Sequence, residues 1–464
     1  MRGNVTIDPL ARATAVAEPQ IREVRSLKSG QILDARRFIE SVRYDRLVQV
    51  RSQIKESMEA GRPRVACAIC GTAVYVVSSP DKAFFFRHRV EDGSCPAQTR
   101  DGLSEDDIRT MKYKGAQESD AHRRLKALIE RSLRSDARFD AIQAEKVWRG
   151  QRGPASLRRP DIQARIGDLR IAFEAQLTTT FLDVVIGRKT FYRTEGGLLV
   201  WVLPHFDPAY RQLTVDDLLF NNNANVLIVD RESAEASEAA GRLMLRCAFR
   251  RPVMEAAGLG SVWESELVAW DDLTIDLEGQ RVFAFDSEGE ERRLIRARDQ
   301  ALAAAREAAD QEMRESLLAI ATGRATEGDW KARSAAWQAL KAQYEARNLV
   351  LPGEYEIDQR FRNIACGVAS ALAGRPVGYG FDKLIQVAHH LADNFPEALV
   401  PFGHALRSAS HQSVLKDQDR QGRWTRKAAG HRDAVRTGDP AYEISEEMRM
   451  LLRFVFPSLS AALA

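Results

Sequence analysis

Between residues 117 and 203 the apolar side chains change their spacing three times, and few folds accommodate all three changes. From 117 to 134, Leu125, Leu128, Ile129 and Leu133 form one stripe at helical period, which predicts an amphipathic helix. Short strand-like runs follow at 144–148, 161–166 and 169–177. Gly167-Asp168 between the last two suits a tight hairpin turn. Residues 180–193 return to helical spacing, and 198–203 reads as one more strand. Helix, three strands, helix, strand is the order of an α/β mixed sheet flanked by helices.

The carboxylates of this region fall at particular places. Asp161, after Arg159-Pro160, opens one strand, and Glu174 lies in the next, beyond the turn. Antiparallel pairing brings both acids towards one sheet edge. Glu174 and Gln176 share a face with the small Ala172, while Phe173, Ala175 and Leu177 line the other. Two converging hard oxygens suit Mg²⁺, which can activate water for phosphodiester hydrolysis. Spacing alone leaves two readings open, a metal site or solvated acids at a strand edge. On the preceding helix Glu118, His122 and Lys126 recur every four residues. They read either as a further metal ligand, a proton-transfer group and a phosphate contact, or as a solvated Glu–Lys face.

Upstream, Cys67-Ala-Ile-Cys70 is followed by His88 and Cys95. A C-x2-C knuckle supplies two zinc ligands from one turn, and strand-like runs at 74–77 and 83–86 form a hairpin that returns His88 to it. Four protein ligands imply a structural zinc. Cys247 and Cys366 stand alone in apolar contexts and read as core residues.

Around this centre, residues 1–60 read as a weakly ordered lead followed by one helix from 34 to 60, and 61–100 as the zinc-finger-like segment. Residues 110–290 read as the sheet domain, with strand-like runs at 226–229, 243–249, 267–270 and 282–285 either extending the sheet or forming a β-rich insert. Residues 291–464 read as α-helical, with one or two long helices at 290–345. At 464 residues, two or three domains are expected. No apolar run approaches a membrane span and the first twenty residues hold no apolar signal core, so a cytoplasmic location without membrane contact is expected. A net charge of +3 does not by itself imply nucleic acid. The crowding of Arg123, Arg124, Arg131, Arg134, Arg149, Arg152, Arg158 and Arg159 around the acids favours a polyanion.

Taken in order, Cys67, Cys70, Arg87-His88, Cys95, Glu118, His122, Lys126, Arg159-Pro160-Asp161, Glu174-Ala175-Gln176, Arg188, Tyr192, Gly197 and Trp201 resemble the competence protein CoiA-like nucleases. The likeness covers roughly residues 60–205. It implies a zinc-bearing PD-(D/E)XK, restriction-endonuclease-like fold, with Asp161 and Glu174 holding Mg²⁺ or Mn²⁺ and Glu118 adding the acid of the first core helix. Gln176 stands where most of that superfamily has lysine, so Lys126, Arg188 or Lys189 would supply the cation. Arg159, Arg188 and Tyr192 become candidate substrate contacts. The function implied is a metal-dependent DNA endonuclease in DNA uptake or in defence against foreign DNA. The alternative is a non-catalytic nucleic-acid-binding or adaptor protein with a protein partner on its helical C-terminal region.

Overall fold

The computed structural model describes residues 7–91, 93, 95–99, 120–151, 153, 156–177, 182–209, 211–324, 330–351 and 359–463. It divides into two compact units, Met1–Ala297 and Arg298–Ala464. The division falls within the long helix Ser287–Ala321.

At the heart of the first unit, among the described residues, is a seven-stranded mixed sheet. From one edge its strands are Gly258–Ala269, Met244–Glu255, Asn225–Ile228, Leu198–Leu203, Leu169–Ala175, Ile162–Ile166 and Phe139–Ala144. The runs expected at 226–229, 243–249 and 267–270 thus extend the sheet, while Arg281–Phe283 pairs with Thr274–Asp276 in a separate two-stranded sheet. Leu198–Leu203 runs parallel to both its neighbours, and the other pairs are antiparallel. Its parallel pairing with Leu169–Ala175 needs a crossover, which the helix Leu182–Thr194 supplies.

The period-two alternation sorts the two faces. Ile171, Phe173, Leu198, Val200 and Val202 meet Leu125, Ile129 and Leu133 of the helix Asp120–Arg134. On the opposite face Ala172 and Leu199 meet Phe191 and Tyr192 of the crossover helix. Gly197 is required there, since a Cβ would come 2.5 Å from the Trp148 ring.

Three sequence expectations are corrected. The strand expected at 144–148 is instead Phe139–Ala144, because the chain turns at Glu145, which adopts φ +51° and gives its N–H to the Asp161 carbonyl at 3.0 Å. The single helix expected over 34–60 is two, Ala35–Ser41 and Tyr44–Glu59. Val42 and Arg43 between them are extended, and the Val42 carbonyl accepts from Ala13 N–H at 2.9 Å. Both helices bury side chains in one cluster, Ile39 from the first and Leu47, Val48 and Ile54 from the second, so no change in apolar spacing marks the break. The lead expected to be weakly ordered contributes Ala13, Ala15, Ile21 and Val24 to the core, and Glu23–Ser26 is the middle strand of a small antiparallel sheet with Ile32–Asp34 and Val65–Cys67. Its backbone partners are distant in sequence, such as Phe84, so no local periodicity marks it.

This N-terminal layer is joined to the sheet region by buried charge. Asp216, fully buried, accepts from Tyr44 Oη at 2.6 Å, Lys82 Nζ at 2.8 Å and Arg211 Nε at 2.6 Å. Beside it Arg51 Nη1 donates to both oxygens of Asp217 at 2.7 and 2.8 Å.

The second unit is helical. Leu317, Trp337, Phe361, Val387, Phe402 and Leu452 lie in one core drawn from its successive helices. Gly367 permits close helix packing, because a Cβ there would meet Leu391 at 2.7 Å.

Removing Asp216 strands Lys82 and Arg211 as uncompensated buried cations. Asp216→Ala is expected to lower the unfolding free energy by about 3–5 kcal/mol in urea titrations. A loss below about 1 kcal/mol, the scale of exposed pairs, contradicts the network's role.

Candidate functional site

The register of one hairpin assembles the acidic site. Phe173 pairs with Ile162, so Asp161, one residue before its strand, stands opposite Glu174. Asp161 Oδ2 accepts the Ala175 N–H at 2.8 Å, which fixes the carboxylate across the two chains. The same oxygen lies 3.4 Å from His122 Nε2 on the helix Asp120–Arg134. The Asp161 side chain remains 19% exposed while that of Glu174 is 2% exposed, so one acid of the pair faces water and the other does not.

Glu174 is held by the crossover helix. Tyr192 Oη donates to its Oε1 at 3.2 Å, and Arg188 forms an ion pair with the same oxygen. Four residues apart, Arg188 and Tyr192 share one helical face. Trp148 packs edge-on against Tyr192 at 5.2 Å, and Arg170 lies 3.6 Å over the indole. Burial pushes the Tyr192 phenol up to about 12, against the pull of Arg188 and Arg158, so it stays a donor at neutral pH. Gln176 is buried on the same strand face, and its N–H bonds the Val202 carbonyl at 2.8 Å.

Lys126 and Arg159 converge on an acid that spacing did not single out. Both pair with Glu145, whose carbonyl also accepts from Arg159 Nε at 2.9 Å. The Lys126 hydrogen bond is the main cause that holds the Glu145 carboxyl below its usual range. Glu145 lay inside what read as a strand, and only its left-handed turn turns it towards Lys126. Glu118 lies outside the described residues.

The basic rim is more neutral than the sequence suggests. Arg123 pairs with Asp120, Arg134 with Glu130, and Arg131 with Glu238 at 2.5 Å. Arg158 lies over the Phe191 ring at 5.5 Å. Arg152 lies outside the described residues.

What this arrangement can do follows from its donors. Asp161 and Glu174 offer oxygen ligands of the kind hard cations take. With no cation, a buried carboxylate needs a fixed positive partner, and Arg188 fills that role for Glu174.

The second cluster is more closely defined. The strands Val74–Ser78 and Phe84–His88 form the hairpin that carries His88 back to the knuckle. Ligand atoms of Cys67, Cys70, His88 and Cys95 all lie within 4.8 Å of one another, with Cys70 Sγ 3.4 Å from His88 Nε2. A zinc tetrahedron with bonds of about 2.3 Å has edges of roughly 3.8 Å, so these residues fit a metal ion such as zinc. Gly71, at φ +75°, lets its N–H reach the Cys67 carbonyl at 3.0 Å and closes the knuckle. His88 Nδ1 lies 3.6 Å from Glu91, in position to orient the ring. Burial acts to raise the Cys70 thiol, but hydrogen bonding with Thr72, Cys95 and Cys67 brings it down to about 6, which favours the thiolate a metal requires. Among the described residues, no other group of three or more His, Cys, Asp or Glu converges in this way.

Cys247 and Cys366 are both buried, and burial raises their thiols to about 12 and about 11. The C-terminal histidines bond to protein groups: His390 Nε2 lies 3.1 Å from Asn363 Oδ1, and His411 Nδ1 lies 3.0 Å from the Ala371 carbonyl.

Elemental analysis of purified protein is expected to find about one zinc-like ion per chain, as a closed four-ligand site holds. Cys67→Ser should lose most of it, whereas equal metal content in the two proteins removes the site.

Comparison with known families divides the first unit at the same place as its chemistry. Residues 30–102, which include the Cys/His group, match a family model described as a domain of unknown function (DUF7830). Residues 105–288, which span the sheet and the acidic pair, match a second, also a domain of unknown function (DUF6035). No curated protein and no solved structure matches the chain.

Proposed function

We propose that residues 110–290 are a metal-dependent nuclease of PD-(D/E)XK type that cuts DNA, braced by a structural zinc on Cys67, Cys70, His88 and Cys95. The observation that carries this reading is the position of Asp161 opposite Glu174, with His122 beside Asp161 and with Arg188 and Tyr192 on Glu174. The helix–hairpin–helix–strand order around that pair supports it as well.

Asp161 and Glu174 would hold Mg²⁺ or Mn²⁺, with Glu118 the further acid that the resemblance implies, and the ion would supply charge neutralisation at phosphorus and acidification of a water. The protein groups have separable tasks. The Ala175 N–H and His122 fix the direction of Asp161, and His122 would move a proton. Gln176 can position a water but brings no charge, so Lys126 or Arg188 has to meet the developing negative charge on phosphate. Each would first exchange its present acid for the phosphate, Lys126 leaving Glu145 and Arg188 leaving Glu174. Arg159, exposed beside Glu145, would contact the DNA backbone. The setting that fits is a cytoplasmic enzyme of DNA uptake or of defence against foreign DNA.

One observation favours a second reading, a nucleic-acid-binding or adaptor protein without turnover. Arg188 already neutralises Glu174, so the buried charge is satisfied with no metal present.

Plasmid and single-stranded DNA incubated with Mg²⁺, Mn²⁺ or EDTA separate the two. Cleavage is expected with metal and none with EDTA, and Glu174→Ala should reduce it beyond detection. His122→Ala should reduce it roughly a hundredfold, the lower range for a lost general acid–base. Equal DNA binding by wild type and Glu174→Ala with cleavage by neither establishes the second reading instead.

A further inference from the structure

The second unit carries a basic stretch of its own. Residues 401–436 hold eight Arg and Lys against three Asp and no Glu, in a chain whose net charge is only +3. Two of those acids are already used: Asp419 caps the helix Arg423–Arg436 by accepting from Thr425 N–H at 2.8 Å, and Asp433 pairs with Arg436. That helix buries none of its side chains, and Arg423, Arg426 and Arg432 form no ion pair among the described residues. A solvated helix this basic has the electrostatic footprint of a polyanion-binding element.

Beneath it the helices Leu399–Ser408 and Gln412–Gln418 frame a cavity of about 460 Å³. That lies within the range of about 300–1,000 Å³ typical of ligand pockets. Leu399, Phe402 and Leu415 give it an apolar floor, Arg407, Lys416 and Arg432 line it with positive charge, and no carboxylate does. Trp424 forms one wall, its ring anchored edge-on against His389 at 5.3 Å, and His431, bonded to Tyr442 at 2.6 Å, forms another.

We propose that this pocket is a second nucleic-acid site, taking an unpaired base of a single strand against Trp424 while Arg407, Lys416 and Arg432 hold the flanking phosphates. Three features select this occupant. Phosphates match a cationic lining that offers no counter-charge of its own. An aromatic wall beside cations is the arrangement on which single-stranded bases stack. A compact pocket suits one splayed base, whereas an acidic helix would need an elongated groove. The site lies in the second unit and does not depend on catalysis at Glu174.

The test uses the full chain in EDTA, so that cleavage plays no part. A fluorescein-labelled single-stranded 20-mer is titrated by anisotropy at several salt concentrations. Arg407→Glu/Lys416→Glu/Arg432→Glu is expected to weaken binding at least tenfold and to flatten the salt dependence. Trp424→Ala should weaken it several-fold with the salt slope retained. Both variants change half-buried or exposed positions, and circular dichroism and thermal melting check their folding. An oligonucleotide carrying 5-iodouracil should crosslink, by peptide mapping, to Trp424 or His431. Unchanged affinity in the charge-reversed protein, or crosslinks only within the first unit, overturns the proposal. Displacement by polyglutamate at the same charge concentration as by the oligonucleotide would overturn it too, in favour of an acidic protein partner. Because the readout is binding, loss of this site and absence of cleavage at Glu174 remain distinguishable.

Discussion

Glu174 sets the terms for much of the first unit. It carries a carboxylate into a sheet face otherwise closed by Ala172, Leu199 and Tyr192, where an ionised group without a partner is strongly disfavoured. The groups around it answer that penalty. Tyr192 donates a hydrogen bond, Arg188 brings a charge, and Trp148 and Gly197 hold Tyr192 in place by close packing. Asp161 sits opposite because the hairpin register allows no other partner there. An acid kept in such a place at this cost is readily explained if a cation takes over from Arg188 during function, and that is the reading proposed.

The sheet was legible where side chains report on geometry directly. Alternation around Gly167-Asp168 located both strands and the turn, and the stripe Leu125, Ile129, Leu133 identified the packing helix. The Cys/His group was legible because a C-x2-C spacing has a narrow structural meaning. Glu145 was hidden, since its role depends on a left-handed backbone turn that no local pattern marks. The N-terminal lead was hidden for a related reason: its order comes from backbone bonds to Phe84 and Val42 rather than from any period of its own. The buried cluster on Asp216 joins residues up to 172 positions apart, beyond the reach of any local pattern.

Charge is distributed to distinct ends in the two units. In the first, Arg123, Arg131, Arg134 and Arg159 are matched by Asp120, Glu238, Glu130 and Glu145, so a phosphate would compete there with existing ion pairs. In the second, the cations of the helix Arg423–Arg436 are mostly unmatched and stand over a preformed pocket. A match to two families without assigned function leaves that division to be judged on chemistry.

The central claim, that Asp161 and Glu174 form a cation site, is tested most directly by Mn²⁺ binding followed by electron paramagnetic resonance. Titration of the wild-type protein is expected to remove free Mn²⁺ signal with about one ion bound per chain at the paired carboxylates. Asp161→Asn and Glu174→Gln should each leave that ion in solution while retaining the zinc of the cysteine cluster. Identical Mn²⁺ uptake by wild type and both variants would contradict the account.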